Sequence, residues 1–121
     1  MQVVLDTSVL LDVFERKLDV FSECERALGE PCKFFATKSS MVELSSMAAR
    51  GNAKGRAAKA CITLAGKKFL VLESTGKADD ALLALDEKQF AVATNDKKLA
   101  VKLRRAGIRV LAEFKNGMRR A

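Results

Sequence analysis

Asp6, Glu43, Asp79, Asp80 and Asp96 are the residues of this chain with chemistry to offer. Each falls at or just inside a junction where an apolar, strand-length run gives way to a helical pattern. Val3-Val4-Leu5 runs into Asp6-Thr7-Ser8, and Ala91-Val92-Ala93 runs into Thr94-Asn95-Asp96, so both aspartates are expected at the carboxyl end of a strand. In open parallel α/β sheets that edge is where ligands bind. The chain has no histidine, which removes the usual general base and the commonest metal ligand. Carboxylates are left, and several of them in one pocket repel one another unless a cation intervenes. Carboxylates with water select Mg²⁺ or Mn²⁺. Two such ions about 4 Å apart can activate a water and stabilise a leaving oxygen in an in-line attack on a phosphodiester.

A plainer account exists for each acid. Helix N-termini favour carboxylates, so Asp79 and Asp96 could be N-caps alone. That account is weaker for Asp6, which follows an apolar strand directly, and for Glu43, beside Met41 and Leu44 and about one turn inside its helix. Ser8, Thr37, Ser39, Thr94 and Asn95 could hydrogen-bond the carboxylates or metal-bound water, or serve ordinary turns. Gly76-Lys77 resembles the end of a nucleotide phosphate loop, but Val71 stands where that loop needs Gly and Ala78 where it needs Ser or Thr.

Positioning these residues requires strands at about Gln2 to Leu5, Lys33 to Ala36, Phe69 to Leu72, Ala91 to Ala93 and Arg109 to Leu111. Short and rich in Val, Leu and Phe, they read as covered on both faces. Helical stripes lie between them: Val9, Leu10, Val13, Phe14; Phe21, Cys24, Leu28 before Gly29; Met41, Leu44, Ala48; Ala57, Cys61, Leu64 before Gly66; Ala81, Leu82, Leu85; and Leu99, Leu103, Ala106 before Gly107. Strand and helix alternate throughout, which implies a parallel α/β sheet with helices on both faces. Residues 1–121 read as one domain with no linker or repeat, long enough for a core of its own.

The net charge of +7 is uneven, with acids in the first helices and bases crowding the middle and the end. A polyanion is a natural partner, and a basic rim would serve phosphodiester cleavage by neutralising phosphates beside the cut. With no Tyr or Trp, base stacking would fall to Phe or Arg, and Phe34, Phe35, Phe69 and Phe90 lie in strand-like runs that read as core. Cys24, Cys32 and Cys61, odd in number and far apart, read as free thiols in a reducing compartment, against a structural zinc. No apolar run approaches the roughly 18 residues of a membrane span, and the first residues enter a strand instead of a signal segment. A cytoplasmic protein is expected.

Val4-Leu5-Asp6-Thr7-Ser8-Val9-Leu10-Leu11, Glu43 in a helix after the second strand, Ala78-Asp79-Asp80-Ala81-Leu82-Leu83 and Ala93-Thr94-Asn95-Asp96-Lys97-Lys98-Leu99 resemble, in order and context, the PIN-domain nucleases. The resemblance covers essentially the whole chain. It implies a three-layer α/β fold with a five-stranded parallel sheet in the order 3-2-1-4-5, and Mg²⁺- or Mn²⁺-dependent cleavage of RNA. Asp6, Glu43 and Asp96 match the family's acidic positions, and the remaining one falls on Asp79 or Asp80, with Asp79 preferred on spacing. Metal would then be held by Asp6, Asp79 or Asp80, and Asp96. Glu43 would be a further ligand or orient the water, with Ser8, Thr94 and Asn95 behind the acids. Lys97, Lys98, Arg104 and Arg105 would hold the RNA backbone. The chain is more similar to small stand-alone members related to ribosomal-RNA processing nucleases than to the toxin subfamily. A toxin ribonuclease paired with an antitoxin and a non-catalytic RNA-binding module are the alternatives. A homodimer is preferred over a monomer, with Phe14, Phe21 and Met118 as interface candidates.

Overall fold

The computed structural model describes residues 1–114 and 117–120, with side chains as far as Ala112. Twelve elements follow in the order β1 (Gln2–Leu5), α1 (Thr7–Glu15), α2 (Val20–Leu28), β2 (Lys33–Thr37), α3 (Lys38–Ala48), α4 (Ala53–Ile62), β3 (Leu70–Leu72), α5 (Ala78–Leu83), β4 (Phe90–Thr94), α6 (Lys97–Arg105), β5 (Arg109–Phe114) and β6 (Gly117–Arg120).

Strands one to five form the expected parallel sheet in the order β3-β2-β1-β4-β5. Register sets Val4 beside Phe35 and Val92, and Val92 beside Val110. The period-two alternation of strands then divides the apolar residues between two cores. Val3, Leu5, Phe34, Ala36, Ala93 and Leu111 face α1 to α4, where Val9, Leu10, Cys24, Leu44, Ala58 and Cys61 meet them. Val4, Phe35, Val92 and Val110 face α5 and α6, meeting Leu82, Leu99 and Leu103. Helices thus cover both faces, and the four phenylalanines of the strand runs are buried, Phe35 and Phe90 packed edge to face.

One strand adds to the expected five, and two expectations are corrected. A sixth strand, β6, pairs antiparallel with β5 at the sheet's edge. Its register sets Leu111 opposite Arg120 and Phe114 opposite Gly117. The strands are not all covered on both faces: β3 is the opposite edge, with Leu70 and Val71 47% and 39% exposed. Phe69 precedes β3 and lies outside it, in an isolated bridge with Ala65. Lys115, and the side chains of Met118, Arg119 and Arg120, lie outside the described residues.

Polar side chains set the helix starts. Asp19 accepts from Ser22 N, Thr37 from Ser40 N, and Asn52 from Gly55 N, each filling an N-cap role. Gly29 ends α2 in the left-handed conformation that its missing Cβ permits. Cys24 and Cys61 are buried free thiols, pushed up to about 12 by desolvation, and Cys61 donates to Leu10 O; Cys32 is half-buried and free. Among the described residues no helix is long and apolar enough to cross a membrane.

Candidate active site

Because β1 to β4 run parallel, their carboxyl ends share one edge, and the segments after them meet there. Asp6 leaves β1 and caps α1, accepting from Thr7 N at 2.8 Å and from Ser8 Oγ at 3.2 Å. Thr94, the last residue of β4, donates its hydroxyl at 2.7 Å to Asp6 Oδ2, the oxygen that also accepts from Ser8. Asp6 is only 6% exposed. Burial pushes its carboxyl above the usual range; the hydrogen bonds from Thr94, Thr7 and Ser8 oppose that, and the charge of Asp79 adds to the rise.

Thr94 also accepts from Asp96 N at 3.1 Å, which ties the acid after β4 to the acid after β1. Asp96 caps α6 through a single oxygen, Oδ1, which accepts from Lys98 N and Leu99 N. The capping role therefore holds for Asp96 and leaves Oδ2 outside the cap. It does not hold for Asp79. The cap position of α5 is Lys77, without a side-chain bond, and Asp79 lies inside the first turn.

Asp79 and Glu43 come together. With Ser39, Val42, Gly76, Lys77 and Ala78 they line a cavity of about 370 Å³. The loop after β3 is pinned to α3 by Ser74, whose Oγ accepts from Ser39 N at 3.0 Å and lies 2.8 Å from Ser39 Oγ. Asp80 is exposed on the same turn and does not line that cavity. Thr37 is buried in its cap. Lys97 and Lys98 open α6 beside Asp96, whereas Arg104 and Arg105 occupy its last turn, about 10 Å along the axis.

Two residues with a place here lay outside the sequence reading. Asp12, 7% exposed on α1, accepts from Asn95 Nδ2 at 2.5 Å and stands 3.8 Å from Arg16 Nη1. Its signal was an acid three residues after Val9, on the stripe that faces inward. Ser74 carried no pattern, since its partner is 35 residues away.

Every donor at this edge is an oxygen of a carboxylate, hydroxyl or amide, which is the set a hard cation takes. Among the described residues no three acids stand as one ready-made chelate. They stand instead in pairs: Glu43 with Asp79, Asp79 within electrostatic reach of Asp6, Asp6 joined to Asp96 through Thr94. Mg²⁺ keeps several waters and is commonly held by one or two carboxylates, so paired acids fit it. Asn95 Oδ1 and Thr7 Oγ1 are buried without a partner among the described residues, and both adjoin the acids. The carboxylate of Asp12 fixes the Asn95 amide orientation, leaving Oδ1 the end that still needs a donor or a cation.

A family model for a PIN-like domain matches residues 3–114, and the chain belongs to that family. It is 33% identical to Ribonuclease VapC4 of Methanocaldococcus jannaschii, over 91% of this chain and 88% of that protein. The structure of the PIN domain endonuclease Utp24 aligns with a TM-score of 0.79 and 26% identity, covering 98% of this chain and 90% of the other. VapBC2 from Rickettsia felis, solved bound to a promoter DNA fragment, aligns over 91% of this chain and 97% of its own at a TM-score of 0.61; its 10% identity speaks to the fold alone.

Proposed function

We propose that this protein is a divalent-metal-dependent endoribonuclease acting at the carboxyl edge of its sheet. The observation that carries the reading is Asp6: a buried carboxylate, raised by desolvation and by Asp79, with Asp96 tied to it through Thr94. An ion site is the arrangement that offsets this cost. Family membership and the identity to a named ribonuclease support the same reaction.

Asp6, Asp79 and Asp96 would hold Mg²⁺ or Mn²⁺, with Asp79 preferred over Asp80 because only Asp79 shares the cavity with Glu43 and reaches Asp6. The bound ion supplies a water of lowered pKa and positive charge at the phosphoryl oxygens. Thr94, Ser8 and the Thr7 amide orient Asp6, Asn95 supports the turn that carries Asp96, and Glu43 orients the attacking water and accepts its proton. The water oxygen bonds to phosphorus, one ester bond breaks, and the departing oxygen takes up a proton. Lys97 and Lys98 hold phosphates beside the cut, and Arg104 and Arg105 meet backbone further along α6.

The substrate role we adopt is ribosomal-RNA processing, in the cytoplasm and as a homodimer. Supporting it is the fold likeness to a PIN domain endonuclease, greater than that to the VapBC2 structure. The identity to Ribonuclease VapC4 favours a second reading, a toxin ribonuclease held by an antitoxin. Growth arrest on expression, relieved by a co-expressed neighbouring gene, would select that second reading. Cleavage itself is tested with Asp6→Asn: the purified variant should lose Mn²⁺-dependent RNA cleavage while keeping its fold. Undiminished cleavage by Asp6→Asn would refute the mechanism.

A further inference from the structure

Cations belong at the C-terminal ends of helices, where the macrodipole is negative. Three helices at the site edge break that rule. Lys38 is the first residue of α3, Lys77 occupies the cap position of α5, and Lys97 and Lys98 open α6. All four are exposed, and among the described residues none is in an ion pair. Lys77 lines the cavity that holds Glu43 and Asp79. A position that Ser, Thr, Asp or Asn would cap is here given to a lysine that forms no cap, at a cost to the helix.

Sheet order places these lysines on both flanks of Asp6. Lys38 follows β2 and Lys77 follows β3, on one side of β1; Lys97 and Lys98 follow β4, on the other. From β3 to β4 the edge spans about 14 Å, three strand spacings. We propose that Lys38 and Lys77 complete a phosphate-binding rim with Lys97 and Lys98. A single-stranded RNA backbone then crosses the sheet edge from β3 to β4 and passes over Asp6. The rim reads charge and not bases, since the strand phenylalanines are buried and the chain has no Tyr or Trp. This inference rests on the nuclease reading and adds the direction of the substrate and two residues that hold it.

The test uses the Asp6→Asn variant of this chain, expected to bind without cutting, and a short fluorescein-labelled oligouridylate titrated at several salt concentrations. Each single-strand phosphate that a lysine no longer neutralises lowers the slope of log K against log salt by about 0.7. Lys38→Ala with Lys77→Ala should therefore lower the slope by about 1.4, and Lys97→Ala with Lys98→Ala by a similar amount. Lys88→Ala, a single charge removed at the opposite edge before β4, should leave it unchanged. A slope unaltered by removing Lys38 and Lys77 but lowered by removing Lys97 and Lys98 overturns the crossing path and leaves the nuclease standing. No binding by Asp6→Asn together with no cleavage by the wild type brings down both.

Discussion

Thr94 Oγ1 lies 2.7 Å from Asp6 Oδ2, across 88 residues of sequence, and the same oxygen accepts from Asp96 N at 3.1 Å. One hydroxyl thus aligns two acids from adjacent strands. Thr94→Val keeps the shape and removes both bonds. It should cost about 1–3 kcal/mol, because a buried carboxylate loses a donor. Cleavage should fall tenfold or more as Asp96 drifts from Asp6, and Thr94→Ser should restore most of it. Thermal melts and RNA cleavage rates read the two effects separately.

The raised Asp6 carboxyl has a consequence for stability. Between its unfolded and folded pKa the native state holds the proton more tightly, so stability falls as pH rises through that window, from just above 3.8 upward. Above that window the ionised group destabilises the metal-free fold. Asp6→Asn should therefore raise the melting temperature in EDTA by a few degrees, on the order of 1 kcal/mol. The variant's advantage should shrink as pH is lowered toward 4. Mn²⁺ should stabilise the wild type and leave Asp6→Asn unmoved. Equal melting temperatures in EDTA at pH 7 would show that burial of Asp6 carries no such penalty.

Local signals explain what could be read in the sequence. Val3-Val4-Leu5 and Ala91-Val92-Ala93 announced two central strands because both their faces are apolar, and Asp6 and Asp96 stood out by ending them. Gly29 and Gly107 marked helix ends by backbone geometry alone. Strand order came from the family resemblance, since periodicity does not choose among parallel topologies. What stayed hidden depends on distant partners. Asp12 became part of the edge through Asn95, 83 residues on, and Ser74 through Ser39. The exposed edge at Leu70 and Val71 was unreadable because β3 carries the same apolar composition as a covered strand.

Gly55 tests the packing beneath the site. A Cβ added there would lie 2.7 Å from Met47 O, backbone of α3, so the two helices would have to separate. Alanine would gain about 1 kcal/mol of helix propensity in isolation. Gly55→Ala should nevertheless destabilise the protein, by about 1–3 kcal/mol from overpacking, with the denaturant midpoint as the measurement. A midpoint at or above wild type would mean that α3 and α4 yield freely.

Ser74 joins the loop that carries Lys77 and Asp79 to the first turn of α3, which carries Glu43. Ser74→Ala removes a half-buried acceptor and leaves the Ser39 amide to find water. Stability should change by about 1 kcal/mol or less. Cleavage should drop severalfold through kcat, and the Mn²⁺ concentration for half-maximal rate should rise, because Asp79 no longer holds its place against Glu43. Ser74→Thr, which keeps the hydroxyl, should recover both. A lower melting temperature with unchanged metal dependence would make the contact structural only.

Asp12 and Asn95 form a second polar pair at this edge, and Asn95 Oδ1 is already without a partner among the described residues. Asp12→Ala would strand the amide's Nδ2 as well, at a cost of about 1–3 kcal/mol. Asn95 N also donates to Ser8 Oγ at 3.3 Å, and Ser8 donates to Asp6, so a shifted amide reaches the buried carboxylate in two steps. Asp12→Asn retains an acceptor and should keep most of the stability. Calorimetric titration with Mn²⁺ should then give weaker binding for Asp12→Ala than for Asp12→Asn. Equal Mn²⁺ affinity in the two variants, with only their melting temperatures apart, would confine Asp12 to supporting the fold.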